Sequence, residues 1–402
     1  MSLRIGDGRK AHVFVVDRYS LPVHIHRLFC GVKNPRREGG FSGKWGLYAC
    51  LKCIRVGDIV FFYQRRIDEP QEHRGFRGIY EVASEPFFDE NDVEWGSNKV
   101  LGKCPYCGVT YPEKFDDEKE RSYCVGCRKT LPTGQHIVPN RLLIKPLQFF
   151  EKCVDDNTAY VDQTDPGMLW TMLFRKVYGP GRERSVTPIL PEEARKLVRL
   201  LERVNEGLKG ELTSNPYVPK HPQPIQVNLG PGPKVKCEHV LQAWLMDNID
   251  KDIPVLKDIV GPRKELEWFG NEVMYGIGGD KVDVLTLHMR DGIRFKATVF
   301  ELKDDEVVAD DVRQIERYSY WISQLATANA EPRVKSLTLQ PVMVGNSFRK
   351  EALSVMKSYG WKEINIPYLW GGCKVTILPP IGLTYRVERG TIKFDFEAPP
   401  SK

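Results

Sequence analysis

The chain has 402 residues, of which 41% are hydrophobic and 28% charged, with a formal net charge of +6. That length exceeds one ordinary domain, the apolar fraction suffices for packed cores, and the mild basic excess by itself names no partner. No run of ~18 apolar residues is present, and the leading MSLRIGDGRKAH lacks the apolar stretch of a secretion signal, so a membrane-spanning or secreted protein is set aside and a soluble, cytoplasmic one is expected.

In chain order, AHVFVVDRY (11–19) reads as a buried strand that leads through a polar turn into a helix. Trp45 and Tyr48 stand ahead of a further helix and the strand GDIVFFYQR (57–65). RGIYEVASEPFFD (77–89) reads as a strand and turn. Charged, cysteine-bearing sequence then interrupts from 98 to 136, and NRLLIKPLQFF (140–150) resumes strand character. An amphipathic helix is expected from Pro191 to Val204. Residues 206–236 are rich in Pro and Gly without periodicity and read as a linker. Beyond it, Leu241, Trp244, Leu245 and Asn248 follow helical spacing in a helix at 237–249. Strands at 268–278, 281–290 and 293–303 follow, the last two closed into a hairpin by Asp291-Gly292. A helix at 305–328, a strand at 337–345 and a helix at 347–360 complete the reading. The fold class expected is a multidomain α/β and α+β protein whose C-terminal part holds a mixed sheet flanked by helices.

In a reducing compartment the ten cysteines are thiols or metal ligands. Cys104 and Cys107 (CPYCG) and Cys124 and Cys127 (CVGCR) form two C-x2-C pairs separated by sixteen residues. Each pair fits a tight turn with both sulfurs facing one point. Two such turns close a tetrahedral thiolate site, which suits structural Zn²⁺ and leaves no open coordination position. Cys50 and Cys53 have no partner pair, and Cys30 and Cys153 are single, so these read as small buried hydrophobes.

FELKDD (300–305) places Glu301 and Lys303 on one face of a strand end, with Leu302 between them. Asp283, on the preceding strand, is a lone charge in an apolar run, costly to bury unless paired or metal-bound. Pairing through the Asp291-Gly292 turn brings Asp283 near Glu301. Two close carboxylates repel, and a divalent cation such as Mg²⁺ or Mn²⁺ removes the conflict. Lys303 could position a water nucleophile or neutralise charge developing on a phosphate. Glu272 is a competing acid on the strand before.

An acid followed by Glu-x-Lys on a paired strand resembles the PD-(D/E)xK nuclease superfamily, with Val282 where the name has proline. Glu238 opens EHVLQAWLMDN, which is similar to the helix opening the nuclease domain of NucS/EndoMS-type proteins. Gln314 and Tyr318, in QIERYSYWI, resemble the Q-x3-Y motif of RecB-like members and share a helix face. The resemblance spans roughly 237 to 345, within a domain taken as 237–402. It implies a restriction-endonuclease-like fold and metal-dependent hydrolysis of DNA, with Asp283 and Glu301 holding Mg²⁺ or Mn²⁺. It also implies that Glu238 completes the site, Lys303 orients water, and Gln314 and Tyr318 support the site or the phosphate strand.

The N-terminal half resembles an EVE domain, of the PUA-like, YTH-related superfamily. VGDIVFFY at 56–63 and RSVTPILPEEARKL at 184–197 carry the likeness, with Trp45, Gly46, Tyr48 and Ala49 matching part of a further motif. The expectation is a PUA-like β-barrel at 11–205, with the zinc ribbon inserted at 98–136. The family implies a pocket for a flipped, modified base, which needs aromatic faces and a few polar groups. Trp45, Tyr48 and Tyr63 are its candidates, with Trp170 a further aromatic. NPRREGG (34–40), YQRRIDE (63–69) and GPGRERS (179–185) read as solvated surface or, on DNA, as backbone anchors.

A base reader joined by a linker to a metal nuclease is the layout of a modification-dependent endonuclease acting on DNA. Two other readings stay open: a repair nuclease for mismatched or branched DNA, and a non-catalytic nucleic-acid-binding protein. A homodimer would supply the two active sites that symmetric double-strand cutting needs.

Overall fold

The computed structural model describes residues 9–33, 40–64, 74–96, 98–110, 113–116, 121–132, 135–155, 158–159, 185–208, 210–275, 280–368 and 371–398. The chain is a mixed α/β protein with several sheets and divides into two compact units, one spanning Lys10–Gln226 and the other running from Val227 onward. Among the described residues no helix is long and apolar enough to cross a membrane. Trp170, most of 34–40 and 63–69, and residues 179–184 lie outside the described residues.

The first unit is built on an 8-stranded sheet. Its spatial order is Val186–Ile189, Ala11–Val16, Ile59–Gln64, Gly75–Val82, Asn140–Gln148, Phe87–Phe88 and Gln223–Pro224, with Phe29–Val32 also paired to Asn140–Gln148. Every residue of Ile59–Gln64 is buried, because this strand lies inside the sheet with both faces covered. It pairs in parallel with Ala11–Val16, and the helices Ser20–Arg27 and Gly40–Lys52 lie between the two in sequence. The preceding Val56-Gly57-Asp58 turn fixes where the strand starts. Gly57 has a φ of 92°, and the Asp58 carboxylate accepts from Lys10 Nζ at 3.2 Å and pairs with His12 Nε2 at 2.9 Å. Burial works against that charge, but Lys10 and His12 outweigh it and hold Asp58 at about 2.

The stretch expected as a linker contains the division between the units, yet it is not bare spacer. Tyr217 is buried in the first unit, where its hydroxyl meets Asp89 and accepts from Arg141 at 3.0 Å. Gln223–Pro224 adds a short strand to the same sheet. Further on, the Pro233 carbonyl accepts from Val387 N at 2.8 Å within the second unit. Composition rich in Pro and Gly keeps regular elements short but does not prevent docking of single aromatic and apolar residues.

The second unit holds another 8-stranded sheet, ordered Leu266–Tyr275, Asp280–Arg290, Ile293–Leu302, Ser336–Gly345, Gly371–Ile377 and Lys362–Tyr368, with Ile381–Glu388 and Thr391–Ala398 attached beside Ser336–Gly345. The first three strands are antiparallel. Asp291 and Gly292 have φ values of 50° and 76°, the backbone that a tight two-residue hairpin requires. At the turn end a buried Arg294–Glu267 pair, with N–O distances of 2.7 and 2.9 Å, anchors the register. Ile293–Leu302 then pairs in parallel with Ser336–Gly345, which needs a crossover, and the helix Ala309–Thr327 supplies it. The four strands after residue 360 carry polar and exposed positions throughout, so they lack the apolar runs that marked the earlier ones.

Candidate active site and metal centre

The cysteine quartet assembles as its spacing requires. Cys104 and Cys107 sit on one turn, with Gly108 at a φ of 70°. Cys124 and Cys127 sit on another, with Arg128 at a φ of 59°. In each turn the residue after the second cysteine donates back to the first cysteine's carbonyl, at 2.9 Å for Gly108 and 2.7 Å for Arg128. Cys104 Sγ lies 3.8 Å from Cys127 Sγ, and Cys107 Sγ lies 3.9 Å from Cys124 Sγ. A tetrahedral ion with Zn–S bonds of about 2.3 Å needs sulfurs about 3.8 Å apart, so the four thiols fit a metal such as zinc. The module packs Cys104 and Cys124 with Leu101, Leu131 and Ile137. Its first and last strands, Asn98–Leu101 and Gln135–Ile137, pair in parallel. Cys50 and Cys53 are also buried, and burial pushes the Cys53 thiol up to about 12.

The carboxylates and the lysine also come together. The hairpin pairs Val284 with Phe300, which sets Asp283 opposite Glu301 one step further on. The Asp283 carboxylate accepts from Leu302 N at 2.7 Å. Lys303 donates to Glu301 Oε1 at 2.7 Å, and its Nζ also lies 3.8 Å from Glu238 Oε2. Glu238 reaches the site from the first turn of the helix Glu238–Asn248. One turn on, Gln242 donates to the Asp283 carbonyl at 3.1 Å and tethers that helix to the strand.

The sequence reading missed Asp311. Its Oδ2 accepts from Val308 N at 2.9 Å, capping the crossover helix, while Oδ1 lies 3.9 Å from Lys303 Nζ. The signal available was an acid three residues into a helix that begins shortly after Glu-x-Lys. Gln314 and Tyr318 lie further along the same helix, half-buried and buried, and the contact this helix makes with Lys303 is Asp311's. Glu272 is a neighbour on the adjoining strand, but its carboxylate is taken up by Lys281 at 2.9 Å and His239 at 3.3 Å.

Glu301 is only 4% exposed, so its charge is expensive. Burial pushes Asp283 well above the carboxylate range, with repulsion from Glu301 and Glu238 adding to it. Burial raises Glu301 to about 7 against the pull of Lys303. Glu238 is raised in the same way. Burial also opposes the Lys303 charge, but Glu301, Glu238 and Asp283 outweigh it and hold the ammonium above the ordinary lysine range. Among the described residues, the cysteine quartet is the set of three or more candidate ligands whose donor atoms all lie within 4.8 Å of one another. The carboxylates stand more loosely around Lys303.

A pH dependence follows for protein free of Mg²⁺ and Mn²⁺. The Glu301 carboxyl is raised from 4.5 to about 7, so between those values the folded chain keeps a proton that the unfolded chain has released. Stability from this group is therefore fullest at the acid end of that window and falls as pH rises through it. Melting of zinc-loaded protein in buffer without Mg²⁺ or Mn²⁺ should drop between about pH 5 and about pH 7.5. Glu301→Gln should flatten that slope, and added Mg²⁺ should restore the neutral-pH loss. A slope unchanged in Glu301→Gln would remove Glu301 as its source.

The proposed base-pocket residues are placed differently from what was expected. Trp45 and Tyr48 lie within the helix Gly40–Lys52 rather than ahead of it, edge to face at 5.4 Å, and both are buried. Tyr63 is buried against Phe76, with ring centroids 5.0 Å apart. All three side chains are thus packed against other aromatic rings rather than exposed.

No protein-family model matches the chain, and no curated protein matches it. One solved structure, of a hypothetical protein from Leishmania major, aligns over 49% of this chain and 96% of its own at 13% identity, with a TM-score of 0.31. Another, of a protein from Pseudomonas putida, aligns over 47% of this chain and 98% of its own at 16% identity, with a TM-score of 0.28. At those scores the likeness carries no weight for fold or activity.

Proposed function

We propose that this chain is a metal-dependent DNA endonuclease in which an EVE/PUA-like N-terminal unit directs a PD-(D/E)xK-type C-terminal unit to DNA carrying a modified base. One observation carries the catalytic half: Glu238 from a helix, Asp283 from one strand and the Glu301–Lys303 pair from the next come together around the Lys303 ammonium. Hard oxygen donors gathered around one lysine, each with its charged form disfavoured, suit a divalent cation that would draw them together. Asp283 and Glu301 would hold Mg²⁺ or Mn²⁺, with Glu238 completing the donor set. When bound, that ion supplies Lewis-acid polarisation and a more acidic water.

The protein's own groups have separate tasks in this reading. Lys303, kept protonated by its acidic neighbours, donates to the attacking water or to a non-bridging phosphate oxygen and offsets charge as the new P–O bond forms and the ester P–O bond breaks. Asp311 and Glu301 fix where that ammonium sits. Leu302 N, bound to Asp283, locks the Asp carboxylate against the strand end. The cysteine quartet keeps its module folded and takes no part in hydrolysis.

The test is incubation with defined DNAs, plain and modified, duplex and forked, with Mg²⁺, Mn²⁺ or EDTA. The expected result is cleavage that needs the metal and favours one modified base. Equal cutting of plain and modified duplexes would remove the reader role, and a preference for forked or mismatched DNA would mark a repair nuclease. No cutting of any substrate with either metal would leave a nucleic-acid-binding protein.

A further inference from the structure

The helix Glu238–Asn248 brings Glu238 to the carboxylate–lysine cluster, and two side chains of the strand Leu266–Tyr275 grip that helix. Gln242 stands one turn after Glu238 and is only 2% exposed. Its amide is used at both ends. Nε2 donates to the Asp283 carbonyl at 3.1 Å, and Oε1 accepts from Asn271 Nδ2 at 3.4 Å. Asn271 is buried as well. The second grip is at the first turn of the helix, where His239 Nε2 lies 3.3 Å from Glu272 Oε1. Lys281, on the strand that also carries Asp283, meets the same Glu272 oxygen at 2.9 Å.

Two details give these contacts a direction that packing alone would not. Asn271 and Glu272 are consecutive, so an extended backbone would turn them to opposite faces of the sheet. Both nevertheless reach one helix, and Glu272 has a φ of 47°, in the left-handed region that a non-glycine residue adopts at a cost. His239 and Gln242 are three residues apart and share a helix face, with Glu238 just before the first of them. The other detail is the side chain chosen at 242. A buried amide must engage both its donor and its acceptor, whereas an apolar residue would pack the helix without that demand. The amide ties the helix that bears Glu238 to the backbone of Asp283 itself.

We propose that Gln242 and Glu272 are positioning residues that set the gap between Glu238 and Asp283, and through it the affinity of the cluster for a divalent cation. The inference rests on the nuclease reading above. Both residues act through Glu238, which a cation would have to draw toward Asp283. Groups that orient metal ligands typically change metal affinity by about 10- to 100-fold when replaced.

The experiment is calorimetric titration of the zinc-loaded full chain with Mn²⁺, without DNA, alongside thermal melting. Gln242→Met keeps the linear shape and loses both hydrogen bonds. Glu272→Gln loses the charge that holds His239. Each should weaken Mn²⁺ binding by about tenfold. The deciding arm is a double-mutant cycle. In a chain that already carries Glu238→Gln, either change should move Mn²⁺ affinity by less than about twofold, because the ligand it aims is gone. A general loss of stability, or of nearby negative charge, would weaken binding equally in both backgrounds. With DNA present, each single variant should need about tenfold more Mg²⁺ for half-maximal cleavage and approach the parent rate at saturating Mg²⁺. Mn²⁺ affinity within about twofold of the parent in both single variants, or effects that add in full to Glu238→Gln, would overturn the positioning role and leave the nuclease reading standing. A parent chain that binds no Mn²⁺ would sink the nuclease reading and this inference with it. The Glu272 side chain is 14% exposed, so Glu272→Gln keeps the test open should Gln242→Met fold poorly.

Discussion

Lys303→Ala is expected to lower metal-dependent DNA cleavage by roughly a thousandfold, within the range for removing a positioned proton-transfer or charge-stabilising group, while leaving DNA binding near that of the parent chain. The reason is the place of the ammonium. It lies 2.7 Å from Glu301 and within 4 Å of Glu238 and Asp311, so its charge is focused at one point where an attacking water and a phosphate would meet. Alanine removes that charge but keeps the backbone, whose N–H donates to the Val344 carbonyl at 2.8 Å and holds the strand end in register. Lys303→Arg should recover little, because a planar guanidinium cannot occupy the compact position of an ammonium between three carboxylates. Cleavage and filter-binding measured on the same preparations separate the outcomes. Joint loss of cutting and binding, with a lowered melting temperature, would show that Lys303 serves the fold.

Removing the metal from the cysteine quartet should unfold residues 98–137 while leaving the second unit intact. Structural zinc sites contribute about 10–16 kcal/mol of apparent binding free energy, comparable to or larger than the whole stability of a domain. Here the sulfurs lie inside the module's own small core with Leu101, Leu131 and Ile137. Few other apolar side chains join that cluster, so little remains to hold the turns once the thiolates repel. Cys124→Ser is the sharpest variant, since Cys124 is fully buried and serves both core and metal. Elemental analysis should find about one zinc per chain in the parent and little in the variant. Hydrogen exchange should show protection lost across 98–137. Retained protection in metal-free protein would mean that the quartet does not depend on an ion.

What could be read beforehand was what short-range geometry decides. Two C-x2-C turns dictate their own shape, so the quartet needed only to be brought face to face. Asp291-Gly292 sets a two-residue turn, but its register alone would face Asp283 with Phe300; a one-residue shift between His288 and Met289, not marked in the sequence, puts Asp283 opposite Glu301. Pro191 at the first helical position and the amphipathic pattern fixed the bounds of Pro191–Val204. Asp311 was hidden because it enters the site by a crossover, and crossover packing is a property of the sheet. Tyr217 was hidden because its partners, Asp89 and Arg141, are more than seventy residues away. Trp45, Tyr48 and Tyr63 are buried, and an aromatic residue that fills a core and one that lines a pocket have the same local sequence.

The strand Ile293–Leu302, which carries Glu301, has hydrogen-bonded neighbours on both sides, one antiparallel and one parallel. Fraying at the margins of the sheet therefore cannot release it; only cooperative opening of the whole unit can. Thermal loss of the carboxylate–lysine cluster and loss of the sheet should then be a single event, and a protease that nicks outer loops should leave that cluster assembled. The parallel pairing also waits on the crossover helix, so during synthesis the centre matures late, after both long-range neighbours have emerged.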